Sequence, residues 1–338
     1  MSDAPRPRFV VGTGRCGSTL LSRMLSQNAR LLSVFEFFSG IDQFFRFQPE
    51  PVEGAELARR LRQDHPMLTM VLARGYEVPE VVYPFGEPGA RFALGDPVPW
   101  ILGIALARVS DDPDALFDAL MDFVDSRPRQ PLARHYREIL VWLALRLGRS
   151  CWIERSGGSI EFLGELVDLF PDARFVHIHR DGCETALSMR EYPVLRVAVS
   201  VMYGVLGEIE YSHEGLAALE ESEAGAIDRL LETRPPVEFF GRYWSEQIVA
   251  GWAAVEQLGP ERILDLRFED LITRPKTELQ RLRDFLELPD GEDWIQPSVD
   301  LVRGMPPLRF PDLPPEEQRA LRAACAPGME GLARRPAL

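Results

Sequence analysis

A glycine-rich turn wedged between a short apolar run and a helical pattern limits the fold more than any other feature of this sequence. Arg8-Phe9-Val10-Val11 runs into Gly12-Thr13-Gly14-Arg15-Cys16-Gly17-Ser18-Thr19, after which Leu20, Leu21, Met24 and Leu25 recur on one helical face. Strand, loop and helix in that order aim the loop N–H groups and the positive end of the helix dipole at one point, which suits an anion. The glycines let backbone approach a phosphate closely. Set against the nucleotide-triphosphatase loop GxxxxGK[ST], Gly12, Gly17 and Thr19 fall in place, but Ser18 stands at the lysine position and the cation is Arg15. Triphosphate chemistry uses that lysine together with magnesium, so the departure weighs against it.

The same type of element recurs along the chain. Residues 31–35 form a second buried-type strand ending at Glu36. Residues 151–154 form a third, followed by a helix with Phe162, Leu163, Leu166, Val167 and Phe170 on its apolar face. Residues 174–179 form a fourth, followed by Arg180-Asp181-Gly182 and a helix through Ser188, and residues 262–268 form a fifth. Strands alternating with helices predict an α/β fold, a P-loop-type parallel β-sheet of about five strands flanked by helices, with its ligand beyond the carboxyl ends of the strands. The expected organisation is one domain over 1–338, with helical insertions at about 44–150 and 190–259 that form a pocket and lid. An aromatic stripe, Phe239, Phe240, Tyr243, Trp244, Ile248 and Trp252, lies in the second insertion and reads first as core.

Net charge narrows the partners. At −14 the chain does not suit the broad phosphate contacts of nucleic-acid binding, so any anion meets a local basic pocket. Among the 38 basic residues Lys276 is the only lysine, and guanidinium groups make forked contacts with phosphate or sulfate oxygens. Cys16, Cys151, Cys183 and Cys325 have neither disulfide-scaffold density nor a CxxC metal pair. With no signal-peptide pattern in the first residues and no apolar run long enough to span a bilayer, the expected compartment is cytoplasmic and no membrane span is expected.

The stretch Thr13-Gly14-Arg15-Cys16-Gly17-Ser18-Thr19-Leu20-Leu21 resembles the 5′-phosphosulfate loop of the sulfotransferase family, usually Gly-Arg-Ser-Gly-Thr-Thr followed by leucines. Cys16 replaces the usual serine and Ser18 the first threonine, and both leave the backbone cradle intact. The resemblance implies that Gly14, Arg15, Cys16, Gly17, Ser18 and Thr19 hold the 5′-phosphosulfate of 3′-phosphoadenosine-5′-phosphosulfate (PAPS), leaving 3′-phosphoadenosine-5′-phosphate (PAP) as product. A second stretch, His179-Arg180-Asp181-Gly182-Cys183-Glu184-Thr185-Ala186-Leu187-Ser188-Met189, resembles the family's 3′-phosphate motif, Arg-Asp-Pro-Arg-Asp-Val-Ala-Leu-Ser. By that likeness Arg180 and Ser188 bind the 3′-phosphate, while Gly182 and Cys183 stand where the family often has Pro-Arg. Phe268-Glu269-Asp270-Leu271 is similar to the family's Tyr-Glu-Asp-Leu stretch and reads as a strand end and helix start rather than as chemistry.

Transfer of a sulfonate to a hydroxyl or amine needs a base, because the attacking atom sheds a proton as the S–O bond to phosphate breaks. Glu36, at a strand end shortly after the phosphate loop, matches the place where branches of the family carry a glutamate base. Glu154-Arg155-Ser156 ends the third strand where relatives show Glu-Lys-Thr, so Arg155 joins Arg15 on the transferred group. His65, His135 and His213 are substitutes for the base, and His177 and His179 read as packed along a strand. The expected activity is metal-independent in-line transfer to a small-molecule, lipid, sugar or peptide acceptor. The alternatives are a P-loop small-molecule kinase and a non-catalytic nucleotide-binding protein.

Overall fold

The computed structural model describes residues 5–204, 213–289 and 291–334. In chain order the first half runs β1 (Arg8–Val11), α1 (Ser18–Leu25), β2 (Leu31–Phe35), α2 (Gly54–Leu61), α3 (Pro66–Ala73), α4 (Pro113–Asp125), α5 (Leu132–Arg146) and β3 (Cys151–Arg155). It continues with α6 (Leu163–Leu169), β4 (Arg174–His179), α7 (Gly182–Arg190), α8 (Pro193–Met202), α9 (His213–Ser222) and α10 (Ala226–Glu232). The last elements are α11 (Val237–Gln257), β5 (Ile263–Arg267), α12 (Phe268–Thr273), α13 (Pro275–Leu286), α14 (Ile295–Val299) and α15 (Pro315–Ala333).

The chain divides into two compact units. One comprises Met1–Gln63, Pro99–Arg180 and Ala250–Pro306, and the other Asp64–Val98, Asp181–Val249 and Pro307–Leu338. Among the described residues the strands form one all-parallel sheet in the order β2-β3-β1-β4-β5, wholly in the first unit. Parallel strands need crossovers, which is why helices cover both faces and why the strands are apolar almost throughout. On one face Val10, Ile153, Val176, Ile178, Leu264 and Leu266 pack with Leu21, Met24 and Leu25 of α1 and with Leu279, Leu282 and Leu286 of α13. On the other, Phe9 meets Trp152, Phe170 and Phe175 at ring-centroid distances of 5.7, 5.0 and 5.5 Å. Such burial stabilises by about 25 cal/mol for each Å² of apolar surface removed from water.

The strands expected at 8–11, 31–35 and 174–179 appear with those bounds; β3 runs one residue further, to Arg155, and β5 is shorter than expected. Within the second unit Phe240 and Trp244 of the aromatic stripe are fully buried and Ile248 is 1% exposed, so these are core. Tyr136 and Phe37 likewise fill the interior of the first unit, edge to face at 5.6 Å. Among the described residues no helix is long and apolar enough to cross a membrane.

Candidate active site

The loop after β1 is shaped by positions that no ordinary side chain fills. A Cβ on Gly12 would run into the carbonyl oxygen of Ile178, and one on Gly17 into the ring of Phe268. Gly17 is also the N-cap of α1 with φ 98°, in the left-handed region that glycine adopts freely. Arg15 takes φ 64°, unusual for a residue with a Cβ. No side chain caps α1, so the helix start faces its surroundings with backbone N–H groups.

Within this loop the side chains divide. Gly14, Arg15, Gly17 and Thr19 are partly exposed, whereas Thr13, Cys16 and Ser18 are buried. The Cys16 thiol donates to the carbonyl oxygen of Thr13 at 2.8 Å, and burial pushes it up from its ordinary pKa. Cys16 thus braces the loop from inside. What it and Ser18 offer to an anion is backbone N–H, not side chain.

The ends of β2 and β3 meet beside the loop. Phe35 pairs with Arg155 in the sheet register, and the next N–H, that of Glu36, donates to the Arg155 carbonyl oxygen at 2.7 Å. Glu36 turns into φ 50°, and Trp100 Nε1 donates to its carbonyl oxygen at 2.6 Å. Its carboxylate Oε1 accepts from Arg155 Nη1, and Oε2 accepts from the Gly157 N–H at 2.7 Å and from Ser39 Oγ at 2.6 Å. The apolar residues around Glu36 in the sequence therefore do not isolate it; four polar neighbours hold it.

Arg155 reaches further. Its Nη2 approaches Thr19 Oγ1 and its Nε approaches Ser22 Oγ, both at 3.4 Å, and its guanidinium lies 4.6 Å from the centre of the Phe35 ring. One cation thereby joins the phosphate-loop helix to the acid after β2. Glu154, on the opposite face of β3, is 1% exposed, and burial pushes its carboxyl up to about 8. Its Oε1 accepts from Phe37 N–H at 3.1 Å and Ser156 Oγ at 2.6 Å, while Ser156 Oγ accepts from Phe38 N–H at 3.0 Å. This network fixes the backbone immediately after Glu36.

Arg180 follows β4, and its guanidinium lies 5.1 Å from the centre of the Phe268 ring. The same ring closes against Gly17, so Phe268 touches both a loop glycine and Arg180. Ser188 is carried by α7 in the second unit. Asp181 caps α7 by accepting the Glu184 N–H at 2.9 Å.

The histidines have structural partners. His65 caps α3 by accepting the Leu68 N–H at 3.4 Å, and His135 is fully buried against the Val52 carbonyl oxygen at 2.9 Å. His177 is buried beside Asp265 at 2.7 Å, and burial pushes His179 down to about 4. The His213 side chain lies outside what the structure describes.

Sequence reasoning missed Ser22, Ser39, Trp100, Gly157 and Phe268. Two of these left a signal: Ser22 stands three residues after Thr19 and hence on the same helical face, and Phe268 heads the stretch read above as a strand end and helix start.

Comparison with known proteins places these features in context. A model of the sulfotransferase family matches residues 7–213 and 229–293. The fold is similar to that of a sulfotransferase domain from the curacin biosynthetic pathway, at 16% identity over 95% of this chain and 98% of that one, with a TM-score of 0.50. A sulfotransferase from Mycobacterium avium matches at 16% identity over 97% and 77%, with a TM-score of 0.46. The sulfotransferase domain of an olefin synthase from Synechococcus PCC 7002 matches at 17% identity over 98% and 96%, with a TM-score of 0.45. A search of curated protein sequences finds no match.

Proposed function

The chain belongs to the sulfotransferase family, and on that premise we propose that it transfers a sulfonate group from PAPS to a hydroxyl or amine of its acceptor. The observation that carries this reading is the Arg155 guanidinium. It bonds the Glu36 carboxylate on one side and approaches Thr19 of the phosphate loop on the other, so a base and a donor-binding loop share one cation.

The residues suit the donor. A loop in which Gly12 and Gly17 leave no room for Cβ atoms, opening a helix that no side chain caps, accepts a 5′-phosphosulfate against backbone N–H groups. Arg15 adds a cation there. Arg180, held against Phe268, takes the 3′-phosphate, a group that ATP does not have.

In the reaction the acceptor oxygen or nitrogen attacks sulfur in line as the S–O bond to the 5′-phosphate breaks, and the acceptor proton passes to Glu36. Among the described residues Oε2 of Glu36 accepts two donors and Oε1 accepts Arg155 alone and keeps a lone pair, so Oε1 is the atom that takes the proton. Arg155 and Arg15 offset the charge that builds on the transferred group and on the departing phosphate. A positioned base contributes about 10² to 10⁴ in rate.

Calorimetric titration of the purified protein with PAP, and separately with ATP plus magnesium, tests the donor assignment without any acceptor. Metal-independent binding of PAP with little binding of ATP supports it. ATP binding without PAP binding replaces it with the kinase reading.

A further inference from the structure

A residue with a Cβ stays at φ 50°, as Glu36 does, only where its surroundings over-determine it. Two peptide planes flank the Glu36 Cα, and both are pinned. The first is held by the sheet, where the Glu36 N–H donates to the Arg155 carbonyl oxygen at 2.7 Å. The second, between Glu36 and Phe37, is held at both ends: its oxygen accepts from Trp100 Nε1 at 2.6 Å and its N–H donates to Glu154 Oε1 at 3.1 Å. With both planes fixed, the direction of the Cα–Cβ bond of Glu36 is fixed, and the carboxylate is aimed with it.

Trp100 alone among these partners comes from outside the sheet strands. It stands immediately before a π-helical turn, Ile101–Ala105, a wide turn of a kind frequent at functional sites. Ile101, Leu102, Ile104 and Ala105 are buried, and the Trp100 N–H donates to the Gln63 carbonyl oxygen at 3.3 Å, so the start of the turn is anchored on both sides.

The indole also has a seat. A Cβ on Gly40 would run into Cδ1 and Cγ of the Trp100 ring. Gly40 does not take a positive φ, so space for the indole rather than backbone freedom is what demands glycine there. Ser39, the residue before it, donates to Glu36 Oε2 at 2.6 Å. The turn from Glu36 to Gly40 thus closes on the carboxylate while the indole closes on the carbonyl oxygen.

We propose that Trp100, seated on Gly40, is a positioning residue of the transfer reaction: it holds the Glu36–Phe37 peptide and so keeps the Glu36 carboxylate aimed at the acceptor proton, an inference that rests on the assignment of Glu36 as the base. Trp100 acts on the rate through Glu36 and not through the donor. Displacing a reacting group by about 1 Å costs about 100-fold in rate, so loss of one bond that aims the base has a measurable effect.

The test uses the full-length protein. Trp100→Phe keeps an aromatic ring and removes the N–H, and Gly40→Ala keeps Trp100 and pushes it from its seat. Crystal structures of wild type and both variants locate the Glu36 carboxylate, and release of PAP from PAPS with phenol as the probe acceptor gives the rate. In both variants the carboxylate should leave its places on Arg155 and Gly157, and kcat should fall by about 10- to 100-fold while KM for PAPS and PAP affinity stay within a few-fold of wild type. Added to Glu36→Gln, Trp100→Phe should cost no further rate. A carboxylate that keeps both bonds in Trp100→Phe overturns the proposal, as does a rate loss that multiplies in full with that of Glu36→Gln. Glu36→Gln at the wild-type rate overturns the base assignment and this proposal with it, whereas a slow Glu36→Gln beside a Trp100→Phe at the wild-type rate overturns the positioning role alone.

Discussion

Arg155 donates to Glu36 across the carboxyl ends of two neighbouring strands, with the two side chains only 3% and 9% exposed. Neither charge belongs in that place alone, because a buried ion costs several kcal/mol unless paired and hydrogen-bonded. The sheet register supplies the partner: Phe35 lies opposite Arg155, and the chain then turns at Glu36 through a left-handed conformation that costs about 1–3 kcal/mol. Bonds to both backbone polar groups of Glu36 and to both its carboxylate oxygens offset that cost.

Glu36→Gln keeps the shape and an acceptor oxygen while removing the proposed proton acceptor. Its turnover with PAPS and an acceptor should fall by about 10² to 10⁴, while PAP affinity stays within a few-fold of wild type. Both variants leave the Arg155 charge without its partner charge, but Glu36→Ala also removes the acceptor oxygens that Arg155, Gly157 and Ser39 use, so it should lower the melting temperature further than Glu36→Gln does. Unchanged turnover in Glu36→Gln would assign Glu36 to holding Arg155 rather than to taking the proton.

Gly17→Ala places a Cβ at φ 98° and against the Phe268 ring. The left-handed strain alone is about 1–2 kcal/mol, and the clash adds about 1–3 kcal/mol. Gly75→Ala is the control, since φ is 77° there but no atom lies within 4 Å of the added Cβ. Chemical denaturation should show the larger loss for Gly17→Ala, and only that variant should lose PAP binding in calorimetry. Equal losses of stability would remove the packing role assigned to Phe268.

The sheet was legible in the sequence because parallel strands buried on both faces write themselves as short apolar runs, as in Arg8–Val11, Leu31–Phe35 and Arg174–His179. Strand order was not legible, since β1 lies between β3 and β4 through pairings set by tertiary packing. The loop motif was legible as a candidate anion loop, but not that Cys16 faces inward, which follows from a turn made by Arg15 and Gly17 at positive φ. Glu36 and Arg155 were visible as separate strand ends. Their bond was not, because it joins residues 119 positions apart through a register that no local pattern records. Ser39, Gly157 and Trp100 converge on Glu36 only after that turn is made.

Glu154 makes stability depend on pH. Burial pushes its carboxyl up to about 8 from the ordinary 4.5. Between about pH 4.5 and about pH 8 the native state keeps a proton that the unfolded chain has released, so its contribution to stability is fully present below that window and declines as pH rises through it. Glu154→Gln retains an oxygen for the Phe37 N–H and Ser156 hydroxyl and should flatten the decline. Urea midpoints at about pH 5 and about pH 8.5 test this. A wild-type decline that the variant reproduces in full would show that Glu154 is not its source.

Arg180 offers the sharpest separation between the proposed donor and other nucleotides. Its guanidinium lies over Phe268 and among the described residues pairs with no carboxylate, so replacing it strands no described buried partner charge. Arg180→Ala should therefore fold like wild type and lose only the contact to the 3′-phosphate. A charge-assisted contact is worth about 1.5–3 kcal/mol, which predicts PAP affinity weaker by about 10- to 100-fold. Adenosine 5′-phosphosulfate, which has no 3′-phosphate, should bind wild type and variant within a few-fold of each other. If both nucleotides weaken equally, Arg180 acts on a part they share, and the 3′-phosphate must be read elsewhere.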